Sequence, residues 1–168
     1  MSPEAQPTLG LSIPLFDEET LVESTVHDLV AALESTSTPF TLALVDNGST
    51  DGTSEKVQRL ATDSRIIAVH LSPNAGYGGG IRAGLQALSD GPDPDIIGWT
   101  WGDGQVDPAC IDPLYRACVS GSPMAKAVRT SREDGLLRTL QGRAYGRLFA
   151  SLGQTSPDPH GCPKLFRR

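Results

Sequence analysis

The stretch FTLALVDNGSTDGT, residues 40–53, passes directly from an apolar run into glycine and short polar residues. FTLALV (40–45) reads as a strand, and its near-continuous apolar character suits a strand covered on both faces. Asp51-Gly52-Thr53 reads as a turn, in which Asp51 has a structural explanation. SEKVQRLA (54–61) then reads as a helix. Strand, polar loop and helix in this order form one unit of an α/β protein.

The same unit recurs on either side. Upstream, MSPEAQPT (1–8) reads as a flexible lead and LGLSIPLF as a first strand. Asp17 is the expected N-cap of the helix that follows, with Glu18 and Glu19 in its first turn. Leu21, Val22, Val26, Leu29, Val30 and Leu33 recur at helical spacing, and Ser-Thr-Ser-Thr-Pro at 35–39 ends the run. Downstream, IIAVHL (66–71) is a third strand, and IRAGLQAL (81–88) a helix entered through a glycine-rich loop. IIGWTW (96–101) is a fourth strand, followed by a helix through Ile111, Leu114, Ala117 and Cys118. AKAVRT (125–130) predicts a fifth strand, and the segment Leu140–Leu152 a further helix. Such alternation predicts a mostly parallel sheet with helices on both faces, whose ligands bind beyond the carboxyl ends of the strands.

Composition narrows the function. With 168 residues, 38% hydrophobic and 20% charged, the chain fits one compact domain, expected over residues 9–168. Fourteen Lys and Arg against 20 Asp and Glu leave a net charge of −6, which argues against nucleic acid as a partner. No apolar stretch is long enough to span a bilayer, and no basic leader precedes an apolar one. The three cysteines form no C-x-x-C pair, so a reducing, cytoplasmic setting is expected. His27, His70 and His160 lack metal-site spacing and read as structural or exposed.

Four segments sit where strands are expected to end: IPLFDEE (13–19), VDNGSTDGT (45–53), NAGYGGGIRAGLQAL (74–88) and WGDGQVDP (101–108). In this order they resemble the family 2 glycosyltransferases, whose GT-A fold is a three-layer α/β/α sandwich. Val128–Arg132 and Gly161–Arg168 resemble segments of the dolichol- or polyprenyl-phosphate mannose synthase branch. The resemblance implies that Pro14, Phe16 and Glu18 contact a nucleotide, that Asp46 binds its base, and that Asn74 lines the same site. It implies that Asp103 holds Mg2+ or Mn2+ on the donor diphosphate, with Gln105 flanking the metal. Arg132 would lie near the donor phosphates and share the catalytic work with Asp103. The implied reaction moves a sugar from a UDP- or GDP-sugar to a polyprenyl phosphate, with inversion.

The chain departs from the family pattern at two places. Trp101 stands where the metal motif has its first Asp, which leaves Asp103 either as a lone carboxylate ligand or as the cap of a turn. Trp99 and Trp101 lie on one side of a strand, where they stack on a ligand or pack in the core. A non-catalytic nucleotide-sugar-binding subunit is therefore the alternative reading. Gly78–Ala83 satisfies G-x-G-x-x-A, but it follows the third strand rather than the first, which argues against a dinucleotide site. Asp107 before Pro108 reads as a helix N-cap.

The second departure is length, since domains of this family continue beyond the segment that ends here at Arg168. Lys164-Leu165-Phe166 and the helix with Leu140, Leu148, Phe149 and Leu152 are thus expected to expose apolar surface. Self-association, a partner subunit or a peripheral membrane contact would cover it, with Arg138, Arg143, Arg147, Arg167 and Arg168 facing anionic headgroups.

Overall fold

The computed structural model describes residues 6–128 and 161–168. Strands β1 (Leu9–Leu15), β2 (Phe40–Asp46), β3 (Ile66–His70) and β4 (Ile96–Trp99) alternate with helices α1 (Val22–Ser35), α2 (Thr53–Leu60) and α3 (Gly76–Asp90). A 3-10 turn at Pro108–Cys110 leads into α4 (Ile111–Val119), and β5 (Met124–Lys126) and β6 (Lys164–Arg167) are the remaining described strands. The strand order is β3-β2-β1-β4-β6-β5. The first four strands are parallel, while β6 runs antiparallel to both β4 and β5.

The two-residue period of a strand divides β1 between two unlike faces. Leu9, Leu11, Ile13 and Leu15 join Leu42 and Leu44 of β2 in the main core, where α1 adds Val22, Val26, Leu29 and Leu33. Val57 of α2 and Ile111, Tyr115 and Cys118 of α4 close the same cluster. Each fully buried Leu or Ile contributes about 1.5–3 kcal/mol. The other face is built for close approach instead. Ser12 donates its hydroxyl to the Ile81 carbonyl at 3.1 Å, and α3 buries Gly80, Gly84 and Leu88. A Cβ on Gly84 would collide with Ser12 and lie 2.9 Å from Val45 Cγ2. With α1, α2 and α4 on one side of the sheet and α3 on the other, the described residues form three layers.

Several expectations need correction. The third helix begins at Gly76, not Ile81, so Gly78–Gly80 lie within its first turns. Asn74 fixes that start, accepting the Gly76 N–H at 2.7 Å. Helix α1 begins at Val22 with Leu21 in the cap position, so Asp17 is not its N-cap and Glu18 and Glu19 precede it. The fifth strand is three residues long; Arg129, Thr130 and the helix expected around Leu140–Leu152 lie outside the described residues. Lys164-Leu165-Phe166 is not an uncovered apolar edge. Because β6 enters between β4 and β5, Leu165 is 0% exposed and the Phe166 ring stacks on Trp99 at 5.5 Å. Arg168 is ion-paired with Asp93.

A cleft at the topological switch point

From β1 the chain steps to β2 and β3 on one side, then crosses to β4 on the other. A crevice must open where the connections part, outside the carboxyl ends of β1 and β4. A cleft of about 500 Å³ lies there, within the usual size range of small-molecule sites. Pro14, Phe16 and Glu18 reach it from β1, Asn74 from the β3–α3 loop, and Asp103 and Gln105 from beyond β4. Six of the expected site residues thus share one wall. Asp46, at the end of β2, is not among the residues that line the cleft, and Arg132 lies outside the described residues.

The loops after β1 and β2 are laced together, which explains why so many short polar residues occur there. Asp17 (φ 54°) accepts the Thr50 N–H at 2.7 Å and donates its own N–H to Ser49 Oγ at 3.1 Å. The Glu18 N–H donates to Thr53 Oγ1 at 2.8 Å, and the Glu19 N–H to Asp51 Oδ2 at 3.1 Å. Glu19 in turn accepts the Gly52 N–H at 3.1 Å. Asp51 also accepts the Thr53 N–H at 2.9 Å, and the hydrogen bonds from Thr53 hold its carboxyl below the usual range. Gly48 turns this loop at φ +78°, where a Cβ would press on the Asn74 backbone nitrogen at 2.8 Å. Asp17, Glu19 and Asp51 are therefore architectural, which leaves Glu18 to face the cleft.

Asn47 ties β2 to the start of α3. Its Nδ2 donates to Asn74 Oδ1 at 3.2 Å and to the Gly76 carbonyl at 3.1 Å, while its Oδ1 accepts the Ala75 N–H at 3.0 Å. Only an amide both donates and accepts in this way, which accounts for Asn at 47. Asp46 is 5% exposed. It accepts the Ser49 N–H at 3.0 Å and lies 3.4 Å from His70 Nδ1. Burial pushes its pKa up, but the hydrogen bonds from Ser49, His70 and Ser54 outweigh burial and hold the carboxyl below its ordinary value.

Glu18 behaves in the opposite way. Burial raises its pKa first, and the charges of Asp103, Asp51 and Asp17 raise it further. Asp103 accepts the Gln105 N–H at 3.0 Å, so it caps its own turn while its side chain lines the cleft. Asp107 caps the 3-10 turn, accepting the Ala109 N–H at 2.9 Å. Trp99 packs on Phe166, whereas Trp101 lines the cleft and donates its indole N–H to Tyr77 Oη at 2.7 Å. The sequence reading did not include Tyr77 among the site residues. Its position in the polar stretch just past the third strand was the available signal.

The model of Glycosyl transferase family 2 matches residues 11–168, and the chain belongs to that family. Two curated relatives are both named undecaprenyl-phosphate 4-deoxy-4-formamido-L-arabinose transferase. The one from Pectobacterium carotovorum subsp. carotovorum (strain PC1) is 30% identical over 164 residues, covering 95% of this chain and 49% of the relative. The one from Yersinia pestis (strain Pestoides F) is 28% identical over 163 residues, with the same coverage of 95% and 49%. The chain thus spans about half the length of the curated relatives it matches. Among solved structures, glucosyl-3-phosphoglycerate synthase from Mycobacterium tuberculosis, in complex with Mn2+, UDP-glucose and phosphoglyceric acid, superposes with a TM-score of 0.67. It is 21% identical, over 96% of this chain and 57% of that one. A mannosyltransferase from Pyrobaculum calidifontis in complex with GDP-mannose and Mn2+ gives 0.62 at 20% identity, over 99% of this chain and 46% of that one. The fold is the GT-A fold, as the motifs led us to expect.

Proposed function

We propose that this chain binds a nucleoside diphosphate sugar in the switch-point cleft and transfers the sugar to a polyprenyl phosphate. The observation that carries this reading is the convergence on one cleft of Pro14, Phe16, Glu18, Asn74, Asp103 and Gln105 from three strand ends. The relatives' names support the acceptor class, and the ligands of the solved neighbours support the donor class.

The donor set in the cleft fits a hard divalent cation. Asp103 and Glu18 both face the space, and the charge of Asp103 helps hold Glu18 above its ordinary pKa, so a cation between them relieves that repulsion. Among the described residues no three His, Cys, Asp or Glu gather as a ligand group. The described residues thus offer two carboxylates there, Asp103 and Glu18, and water and diphosphate oxygens would complete the shell, a common arrangement for Mg2+. Such an ion would stabilise the charge that grows on the departing diphosphate. Asp103 would hold it, with Gln105 beside it and Arg132 supplying further positive charge. Phe16 and Pro14 would contact the nucleotide, and Asp46 would orient its base. A phosphate oxygen of the acceptor attacks the anomeric carbon as the bond to the diphosphate breaks, inverting that centre. The acceptor is already ionised, so the step asks no general base of the protein.

Trp101 in the place of a carboxylate supports a second reading, a subunit of the same fold that binds the donor without turnover. Thermal shift with UDP and GDP, with and without Mg2+ or Mn2+, tests binding. Formation of glycosyl polyprenyl phosphate from UDP-glucose or GDP-mannose separates the transferase from the binding subunit.

A further inference from the structure

Resting on that functional reading, we infer that Trp101 and Tyr77 form an aromatic platform that receives the C–H face of the donor's sugar ring. Tyr77 is 52% exposed although it is a large aromatic residue. Its neighbours are glycines: at Gly76 and Gly78 an added Cβ would meet no atom within 4 Å. The ring is therefore half exposed beside these glycines, with its oxygen turned into the protein. Yet it is not loose, because its oxygen accepts the Trp101 indole N–H at 2.7 Å. That bond spans from the first turn of α3 to the segment after β4 and sets the two rings at one wall of the cleft. Burial is the main cause that pushes the Tyr77 phenol up to about 12, so the hydroxyl stays neutral through the physiological range.

The sheet order says which part of the donor meets this wall. Asp46 ends β2 and Trp101 follows β4, on opposite sides of β1. Two strand spacings, about 10 Å, separate the two strand ends. Asp103, two residues beyond Trp101, lines the same cleft and is where the proposed function holds the diphosphate. With the base towards Asp46, the group beyond the second phosphate reaches Trp101 and Tyr77, and that group is the sugar. Pyranose rings present patches of C–H bonds that pack on aromatic faces, where a large ring supplies contact area at low conformational cost. A tryptophan in place of a carboxylate thus trades a metal ligand for a sugar contact.

The test compares UDP with UDP-glucose, and GDP with GDP-mannose, by calorimetry in Mg2+ on wild type, Trp101→Leu, Tyr77→Leu and Tyr77→Phe. The two leucine variants are expected to keep diphosphate affinity within about twofold while the ratio of nucleotide-sugar to diphosphate Kd worsens about fivefold. Tyr77→Phe keeps the ring and loses the oxygen, so its ratio shifts less. In a Trp99→Phe background, the nucleotide sugar should change the fluorescence of Trp101 more than the diphosphate does. Unchanged ratios in both leucine variants overturn the inference and leave the proposed function standing. If no diphosphate or nucleotide sugar binds wild type, the proposed function fails and the platform with it.

Discussion

Gly84 of α3 and Ser12 of β1 touch so closely that no side chain fits between them. The hydroxyl of Ser12 is also held by the Ile81 carbonyl, on the same helix. Together these contacts fix how near α3 lies to the sheet, and so where Tyr77 at its first turn stands. Gly84→Ala is expected to force the helix outward and cost about 1–3 kcal/mol in urea denaturation. Adding Ser12→Gly should restore part of the loss, because it removes the atoms that the new methyl meets.

Asp46 carries two readouts. Asp46→Ala removes the acceptor of the Ser49 N–H and the partner of His70, for a loss of about 1–3 kcal/mol in stability. It should also weaken UDP or GDP binding about tenfold or more, equally with and without Mg2+. The folded pKa of Asp46 lies below its unfolded value. Its contribution is therefore fully present above the ordinary carboxylate pKa and is lost as pH falls through the lower folded value. Asp46→Asn should flatten that acid limb. Unchanged affinity by calorimetry would remove Asp46 from the base site.

Asp103→Ala should spare binding of the bare nucleoside and abolish the gain that Mg2+ or Mn2+ gives to the diphosphate. Trp101 lines the cleft, so Trp101→Asp places a second carboxylate beside Asp103 and should tighten Mn2+ binding in the presence of UDP. Wild-type affinity for UDP and GDP that is equal in EDTA and in Mg2+ would refute the metal role.

Glu18 tests the same field from the other side. Its folded pKa lies above the unfolded one, so the folded chain binds the proton more tightly and stability falls as pH rises through that window. Glu18→Gln should accordingly raise the melting temperature at neutral pH. Mn2+ should stabilise wild type more than the variant, since the variant has one fewer charge for the ion to neutralise. A pH-stability curve identical in both proteins would contradict this.

The strand-loop-helix alternation and the four strand-end motifs were readable because apolar period and turn chemistry are local signals. That Phe16, Glu18, Asn74, Asp103 and Gln105 share one cleft followed from the family pattern and the switch-point rule. What failed depended on partners far along the chain. Asp17 has the chemistry of a helix cap, but its carboxylate is taken by Thr50, on a loop that sequence periodicity cannot position. Gly76–Gly80 look like a loop, yet Asn74 and Asn47 hold the Gly76 and Ala75 backbone and start a helix there. Leu165 and Phe166 gave no sign that β6 inserts antiparallel between β4 and β5, since that placement depends on pairing to Ile97 and Gly98. Tyr77 was missed because exposure is not written in a residue's type.

The insertion of β6 also implies an order of assembly. Among the described strands β5 pairs with β6, and β6 reaches β4 through pairs as distant as Ile96 with Arg167. The parallel ladders β3-β2-β1-β4 can zip from successive units, but among the described strands that side of β4 waits for β6, and β5 for the same strand. Closing so large a loop before any contact rewards it is slow. During that interval the exposed backbone of β4 is open to pairing with another chain. The β4–β6 ladder is therefore expected to form after the parallel ones and to lower refolding yield as protein concentration rises.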